Sequence, residues 1–230
     1  MKTLYTPLTR DELAWRVAQD MPDGAYVNLG IGLPTRVAQF VPNDREVVYH
    51  SENGLLGVGP PPKAGHEDPE LVNAGKQMVT LLPGASIFEH TESFMMIRGG
   101  HIDIALLGAY QVAANGDLAN WATDRERAAP AVGGAMDLAA GAKRVWVLME
   151  HTNKDGSPRL LERCTYPLTA PHVVNRVYTN FAVIDIKDGF LVREILDGCS
   201  LDELAAMTGA PLLAAPDCRT LSRRPAPAGG

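Results

Sequence analysis

The first third of the chain alternates between helical and extended spacing of its apolar positions. Thr9-Arg10-Asp11-Glu12 has the form of a helix capping box, and apolar residues follow it at helical spacing as far as Met21. Residues 25–29 predict a short buried strand and residues 46–50 a second strand, and Pro34 suits the first turn of a helix between them. This alternation predicts an α/β arrangement.

After residue 50, glycines and prolines interrupt the regular spacing of apolar residues. Residues 51–62 contain three glycines and three prolines, and we predict that this stretch is a loop without a regular element at the end of the second strand. Strands are predicted again at residues 79–82 and 102–107, with a helix between them at residues 88–98.

The second half of the chain is richer in strands and turns. Asn115-Gly116 and Asp188-Gly189 each lie between two extended apolar runs and predict hairpins. A short helix is predicted at residues 135–140 and a strand at 144–149, and the capping box that begins at Ser200 opens a last helix. The whole pattern predicts a mixed, mostly parallel sheet flanked by helices, with antiparallel hairpins.

Composition and charge narrow the class of protein. The chain has 230 residues, of which 46% are hydrophobic, and this suits one globular domain, predicted at residues 1–221. The Arg-, Pro-, Ala- and Gly-rich residues 222–230 are predicted to be a disordered tail. A net charge of −6 without a basic cluster argues against a nucleic-acid partner. The chain has neither a signal-peptide pattern nor a long apolar run, so we expect no membrane association and a cytoplasmic location.

Metal and disulfide chemistry are not indicated. The three cysteines are widely spaced, and the six histidines show no ligand spacing, so we expect no metal site and regard the histidines as structural. Gly30-Ile31-Gly32 suggests a dinucleotide fingerprint, but Thr35 stands where the third glycine would be. His50-Ser51 lacks the flanking glycines of a hydrolase nucleophile elbow.

The candidate chemistry centres on Glu52, which follows the second predicted strand. Gly54, Gly57 and Gly59 follow it closely, and such a segment can bring backbone N–H groups to an anion or a thioester oxygen. From the residues alone, a turn with an incidental acid explains this pattern as well as a catalytic carboxylate does.

Residues 51–60 resemble the S-E-N-G signature of the B subunits of 3-oxoacid coenzyme A transferases. Six further blocks resemble that family in the same order, namely residues 28–34, 73–76, 98–103, 116–121, 133–138 and 149–151. The resemblance extends from about residue 8 to about residue 215 and so covers most of the chain.

The resemblance implies a covalent mechanism in which Glu52 is the nucleophile and forms a glutamyl-CoA thioester. Coenzyme A thioesters would be substrates, and no cofactor would be bound permanently. The matched blocks imply that Gly134 and Ala135 serve the oxyanion and that Asn28 lies near the acyl group, although helix packing and a turn also explain these residues. The resemblance further implies that CoA or substrate is bound by four positions: Asn53, Gly54, Gly57 and Lys76. A solvated surface charge also explains Lys76.

Substrate and partner follow from the same resemblance. The approach to Gly133-Gly134, residues 129–132, resembles B subunits that act on 3-oxoadipate in aromatic-compound degradation, with succinyl-CoA as donor. A B subunit that acts on acetoacetate and a non-catalytic binding or regulatory subunit of similar fold are the alternatives. Only the B half of the family is matched, which implies a heteromer with an A subunit. Arg98 and Arg176 are candidate partners for a distal substrate carboxylate.

Overall fold

The computed structural model describes residues 5–123 and 131–225, in which ten strands form one sheet and three short strands form a second. The strands are β1 Ala25–Leu29, β2 Val47–Ser51, β3 Leu55–Val58, β4 Leu81–Ile87, β5 Ile104–Leu107, β6 Gln111–Ala113, β7 Leu118–Ala119, β8 Arg144–Met149, β9 Leu160–Leu161, β10 Val174–Thr179, β11 Ala182–Ile186, β12 Phe190–Ile195 and β13 Leu212–Thr220. The α-helices are α1 Arg10–Ala18, α2 His90–Arg98, α3 Ala135–Gly141 and α4 Leu201–Ala206, and Leu33–Gln39 forms a 3₁₀ helix.

The large sheet has the order β13-β12-β11-β10-β8-β5-β1-β2-β3-β4. Its centre, from β10 to β2, is parallel, while β2-β3-β4 and β10-β11-β12 are antiparallel. Every residue of β5 is buried, and so is every residue of β8 after Arg144. Central parallel strands are covered on both faces, and this explains why they appear in the sequence as continuous apolar runs. The predicted mixed α/β fold is confirmed.

Several local predictions are confirmed by the backbone. The Thr9 hydroxyl accepts from the Glu12 N–H at 3.2 Å, and the Glu12 carboxylate accepts from the Thr9 N–H at 2.8 Å, which completes the capping box. Ser200 caps α4 in the same way. The hairpins β6–β7 and β11–β12 form at the predicted turns. The helix predicted after Pro34 is a 3₁₀ helix.

The prediction of an irregular loop over residues 51–62 is wrong, because β3 lies inside it. Gly54, at φ +114°, lets the chain reverse directly after β2, and β3 then pairs antiparallel with β2. Gly57, at φ +84°, lies where the register between β3 and β4 shifts, as at a β-bulge. The glycines therefore indicate a tight turn and a bulge. The strand predicted at residues 79–82 is also misplaced, since β4 begins at Leu81.

Besides β3, the strands β10 and β13 and the two-residue β9 also escape prediction. In β10, Asn175 and Arg176 interrupt the apolar pattern, and the Asn175 amide oxygen accepts from the Val145 N–H at 2.7 Å. β13 is an exposed edge strand that contains Pro216, and a proline is tolerated there because an edge strand has unpaired positions. Residues 222–225 have no regular structure, and residues 226–230 of the predicted tail lie outside the described residues.

None of the described helices combines the length and apolar character needed to cross a membrane. In residues 5–123 and 131–225, no group of three or more histidine, cysteine, aspartate or glutamate side chains is placed to hold a metal ion.

A buried ion pair links α1 to β12, in the antiparallel part of the sheet. The Arg16 side chain donates to both carboxylate oxygens of Glu194, at 2.7 and 2.6 Å, and both side chains are almost fully buried. Arg219 also donates to Glu194, at 2.6 and 2.9 Å. Burial alone would raise the pKa of Glu194, but the hydrogen bonds and charges of the two arginines outweigh it and lower the pKa.

We predict that Glu194→Gln lowers the free energy of unfolding at pH 7 by about 3 kcal/mol, because the buried Arg16 charge loses its most buried counter-ion and keeps only Asp20, at 2.9 Å. The folded-state pKa of Glu194 lies below its ordinary value of 4.5. The stabilisation that the Glu194 carboxylate provides is therefore fully present above pH 4.5 and is lost as the pH falls through the folded-state pKa. Urea unfolding of wild type and variant at several pH values tests this. The matched control is Asp217→Asn in the exposed pair with Arg193, expected to cost less than about 1 kcal/mol. A constant difference between wild type and Glu194→Gln down to acidic pH would contradict the prediction.

Candidate active site

Glu52 lies in the turn of the β2–β3 hairpin, directly after the carboxyl end of β2. The Gly54 N–H donates to the Ser51 carbonyl at 3.0 Å and closes the turn, and the Phe88 N–H donates to the Gly54 carbonyl at 3.0 Å. A Cβ atom at Gly54 would collide with the Phe88 carbonyl oxygen, and its φ of +114° is strained for any other residue. Two constraints on Gly54 thus hold Glu52 on a rigid element.

The carboxyl ends of β1, β2, β5 and β8 surround a cavity of about 960 Å³ whose lining includes Glu52. Asn28 and Leu29 line it at the end of β1, and Gly108 and Glu150 line it after β5 and β8. This edge of a parallel sheet is where α/β proteins commonly bind ligands.

Gly134 packs directly against the Glu52 carboxylate. A Cβ atom built at Gly134 would lie 2.7 to 2.9 Å from both carboxylate oxygens and the carboxyl carbon of Glu52. Gly134 is the N-cap of α3 and Ala135 is its first residue, and both line the cavity. The fold therefore brings Glu52 together with Gly134 and Ala135, all three implied by the family resemblance, although about eighty positions separate Glu52 from the other two in the sequence.

The surroundings of Glu52 disfavour its charged form. Burial raises the pKa of Glu52, the charge of His90 opposes the rise, and the negative charge of Asp137 adds to it. A carboxylate that has lost part of its hydration is a stronger nucleophile than one in water. A carboxyl group with a raised pKa in a cavity is also a common mark of a functional site.

Asn28 is fixed by a buried network that the sequence does not reveal. Its amide nitrogen donates to the Nδ1 atom of His50 at 3.0 Å and to the His50 carbonyl at 3.3 Å, and this orients the amide. Because Nδ1 of His50 accepts, Nε2 carries the proton and donates to the Ser93 hydroxyl at 2.9 Å. Burial lowers the pKa of His50 to about 4, so the ring is neutral near pH 7. His50 therefore orients Asn28 beside the cavity and has a structural role.

The other four residues that are predicted to bind CoA or substrate lie in the β2–β3 hairpin and in a turn. Among the described residues, the cavity lining does not include Asn53, Gly54, Gly57 or Lys76. The Asn53 amide nitrogen donates to the Val72 carbonyl at 2.8 Å, and Gly54 and Gly57 shape the hairpin. Lys76 is exposed, with φ of 61°, in a turn whose Asn73 N–H donates to the Gln77 carbonyl at 2.9 Å.

The candidate cations for a distal carboxylate also lie elsewhere. Arg98 pairs with Asp137 at 2.7 Å, and Arg176 pairs with Asp185 at 2.5 Å. The cations within the described lining are Arg10 and Arg159. No local pattern marks Arg159, because only the order of strands brings it to the cavity. Of the residues before Gly133, Ala131 and Val132 line the cavity, while Ala129 and Pro130 lie outside the described residues.

Comparison with known proteins agrees with this geometry. The family model described as "Coenzyme A transferase" matches residues 10–206. The chain is 56% identical over 210 residues to the B subunit of the 3-oxoadipate CoA-transferase of Acinetobacter baylyi, covering 91% of this chain and 97% of that protein. It is 48% identical over 202 residues to the B subunit of a probable succinyl-CoA:3-ketoacid coenzyme A transferase of Bacillus subtilis, covering 87% and 93%.

A solved structure shares the fold at low sequence identity. The acyl-CoA transferase YdiF of Escherichia coli O157:H7, in a thioester complex with CoA, superposes with a TM-score of 0.72 at 19% identity. The match covers 96% of this chain and 44% of that one. The length of the family match and the identity to two curated relatives, together with a glutamate held in the cavity at the sheet edge, place the chain in the coenzyme A transferase family.

Proposed function

We propose that this chain is the B subunit of a transferase that moves coenzyme A from succinyl-CoA to 3-oxoadipate. The observation that carries the proposal is the half-buried Glu52 carboxylate in the cavity at the ends of the parallel strands, packed against Gly134. The choice of 3-oxoadipate is supported by the 56% identity to a relative with that name, compared with 48% for a relative named for 3-ketoacids.

In the proposed first half-reaction, a carboxylate oxygen of Glu52 attacks the thioester carbonyl of succinyl-CoA. The carbon–sulfur bond breaks, and CoA leaves as a thiolate while a mixed anhydride joins Glu52 to the succinyl group. The thiolate then attacks the glutamyl carbonyl of the anhydride and expels succinate, which leaves a glutamyl-CoA thioester. The bond energy of the original thioester is conserved, so the exchange needs no ATP.

In the second half-reaction the same steps run in reverse with the acceptor acid. A carboxylate oxygen of 3-oxoadipate attacks the glutamyl-CoA carbonyl, the released thiolate attacks the acyl carbonyl of the new anhydride, and 3-oxoadipyl-CoA leaves. Each attack places negative charge on a carbonyl oxygen. The backbone N–H groups of Gly134 and Ala135, at the first turn of α3, are suited to stabilise that charge because such groups have no partner within the helix.

We also infer that an A subunit completes the enzyme, as the names of the relatives imply for those proteins. The chain alone is then inactive, and CoA thioesters are its substrates with no permanently bound cofactor. A non-catalytic binding subunit is disfavoured, because burial raises the pKa of Glu52 in the cavity and a binding role does not require this.

Steady-state rates of the assembled A and B subunits test the proposed substrate. With succinyl-CoA as donor, we predict a higher kcat/KM for 3-oxoadipate than for acetoacetate and parallel double-reciprocal plots, because a covalent intermediate separates the two half-reactions. A preference for acetoacetate would overturn the substrate and leave the mechanism in place. Intersecting plots would contradict the covalent route.

A second prediction concerns the space beside Glu52. Gly134→Ala places a Cβ atom 2.7 to 2.9 Å from the Glu52 carboxylate, so the carboxylate must move. We expect kcat to fall about 10²-fold, because a displacement of about 1 Å has effects of this size. Gly134 has φ of −73°, which alanine adopts readily, so the melting temperature of the variant is expected to stay unchanged and serves as the control. Full activity in Gly134→Ala would show that the contact has no role in catalysis.

A further inference from the structure

The cavity has a second end, away from Glu52, that is built around Arg159. The residues that follow β5 and β8 form this end, and they include Ala109, Tyr110 and Glu150. The proposed mechanism uses none of these residues. A guanidinium group at this position therefore calls for a separate explanation.

Main-chain carbonyl groups hold the Arg159 side chain. Its Nε atom donates to the Tyr110 carbonyl at 3.0 Å, Nη1 donates to the Glu150 carbonyl at 3.4 Å, and Nη2 donates to the Ala109 carbonyl. A guanidinium group has five N–H donors, so two remain after these three bonds. The group is thus fixed in position and retains donors for a further acceptor.

The charge of Arg159 is only partly compensated. Among residues 5–123 and 131–225, no carboxylate lies within ion-pair distance of its guanidinium group. Burial lowers the pKa of Arg159, and the charge of Glu150 opposes this. A cation that has lost hydration without gaining a carboxylate partner is costly, and a bound anion would offset that cost.

Arg10 is the other cation in the described lining, and it is less suited to fix an anion. Its side chain is 70% exposed and pairs with Glu150 at 3.7 Å. An exposed guanidinium group gains little binding energy from such a pair. Arg159 is therefore the positioned cation of the two.

The strand order indicates how far apart Glu52 and the carbonyl groups that hold Arg159 lie across the sheet. Glu52 follows β2, whereas the carbonyl groups that hold Arg159 follow β5 and β8, two and three strands away. Neighbouring strands lie ~4.8 Å apart, so the separation across the sheet is about 10–14 Å.

A six-carbon diacid spans this distance. From the Cα atom of Glu52 through the anhydride to the last carbon of a 3-oxoadipyl group there are ten bonds, and bonds of ~1.5 Å in a zigzag extend about 12 Å. An acetoacetyl group ends two carbons earlier in an uncharged methyl group. Only the diacid brings a negative charge to the Arg159 end of the cavity.

We propose that Arg159 binds the distal carboxylate of the acceptor acid and thereby selects a dicarboxylic 3-oxo acid over acetoacetate. This inference rests on the function proposed above and adds a specificity-determining residue to it. Arg159 takes no part in the bond changes at Glu52.

The test is the ratio of kcat/KM for 3-oxoadipate to kcat/KM for acetoacetate, measured in the assembled A and B subunits. In a ping-pong reaction, kcat/KM of the acceptor depends only on the half-reaction in which it attacks the enzyme–CoA thioester, so contacts of the donor do not contribute. Arg159→Gln is expected to lower kcat/KM for 3-oxoadipate about 10- to 100-fold, as loss of a charged hydrogen bond does, and to leave that for acetoacetate within about 3-fold.

Arg45→Gln is the matched control. The Arg45 Nη1 atom also donates to main-chain carbonyls, those of Gln19 and Met21 at 2.7 and 2.8 Å, but Arg45 is not part of the described cavity lining. Its substitution should leave the ratio unchanged. If Arg159→Gln does not assemble, Arg159→Lys is measured instead, and it should lower the ratio in the same direction because lysine lacks the planar fork.

One result would overturn the inference, and it differs from failure of the proposed function. An unchanged ratio in the Arg159 variant, whether both kcat/KM values are retained or both fall equally, would show that Arg159 only connects the loops after β5 and β8. A wild-type enzyme that prefers acetoacetate would overturn the proposed substrate before any variant is made.

Discussion

The tight turn between β2 and β3 determines where the carboxylate of Glu52, the proposed nucleophile, lies. Gly54 cannot be replaced without a collision with the Phe88 carbonyl, and its φ of +114° reverses the chain within three residues of the end of β2. Glu52 is therefore held at the carboxyl end of a central strand, against Gly134 on another element. The proposed chemistry of the site depends on that fixed position.

In the proposed mechanism, the two ends of the cavity have different roles because they carry different charges. At one end burial removes part of the hydration of the Glu52 carboxylate and raises its pKa, which suits the nucleophilic role proposed for it. At the other end Arg159 keeps a positive charge on a frame of main-chain carbonyl groups. A substrate with one carboxylate to exchange and another to be recognised would match both ends.

Much of the fold can be predicted from the sequence, because capping boxes, apolar runs and Asn-Gly or Asp-Gly turns are local signals. β3 escapes prediction because glycines that shape a turn and a bulge also resemble a loop, and β10 does so because Asn175 and Arg176 carry its polar contacts. Family resemblance indicates Glu52, Gly134 and Asn28, and the strand order brings them together. The hydrogen-bond partners of His50 and the position of Arg159 cannot be predicted from sequence, since both depend on contacts between distant segments.

The central claim is that Glu52 carries coenzyme A during turnover. Mass spectrometry of the assembled A and B chains after incubation with succinyl-CoA, without an acceptor acid, tests it directly. The claim predicts that CoA adds to the peptide containing Glu52, that 3-oxoadipate removes it, and that Glu52→Gln forms no adduct. Full transfer activity in Glu52→Gln, or a CoA adduct on a different residue, would contradict the claim.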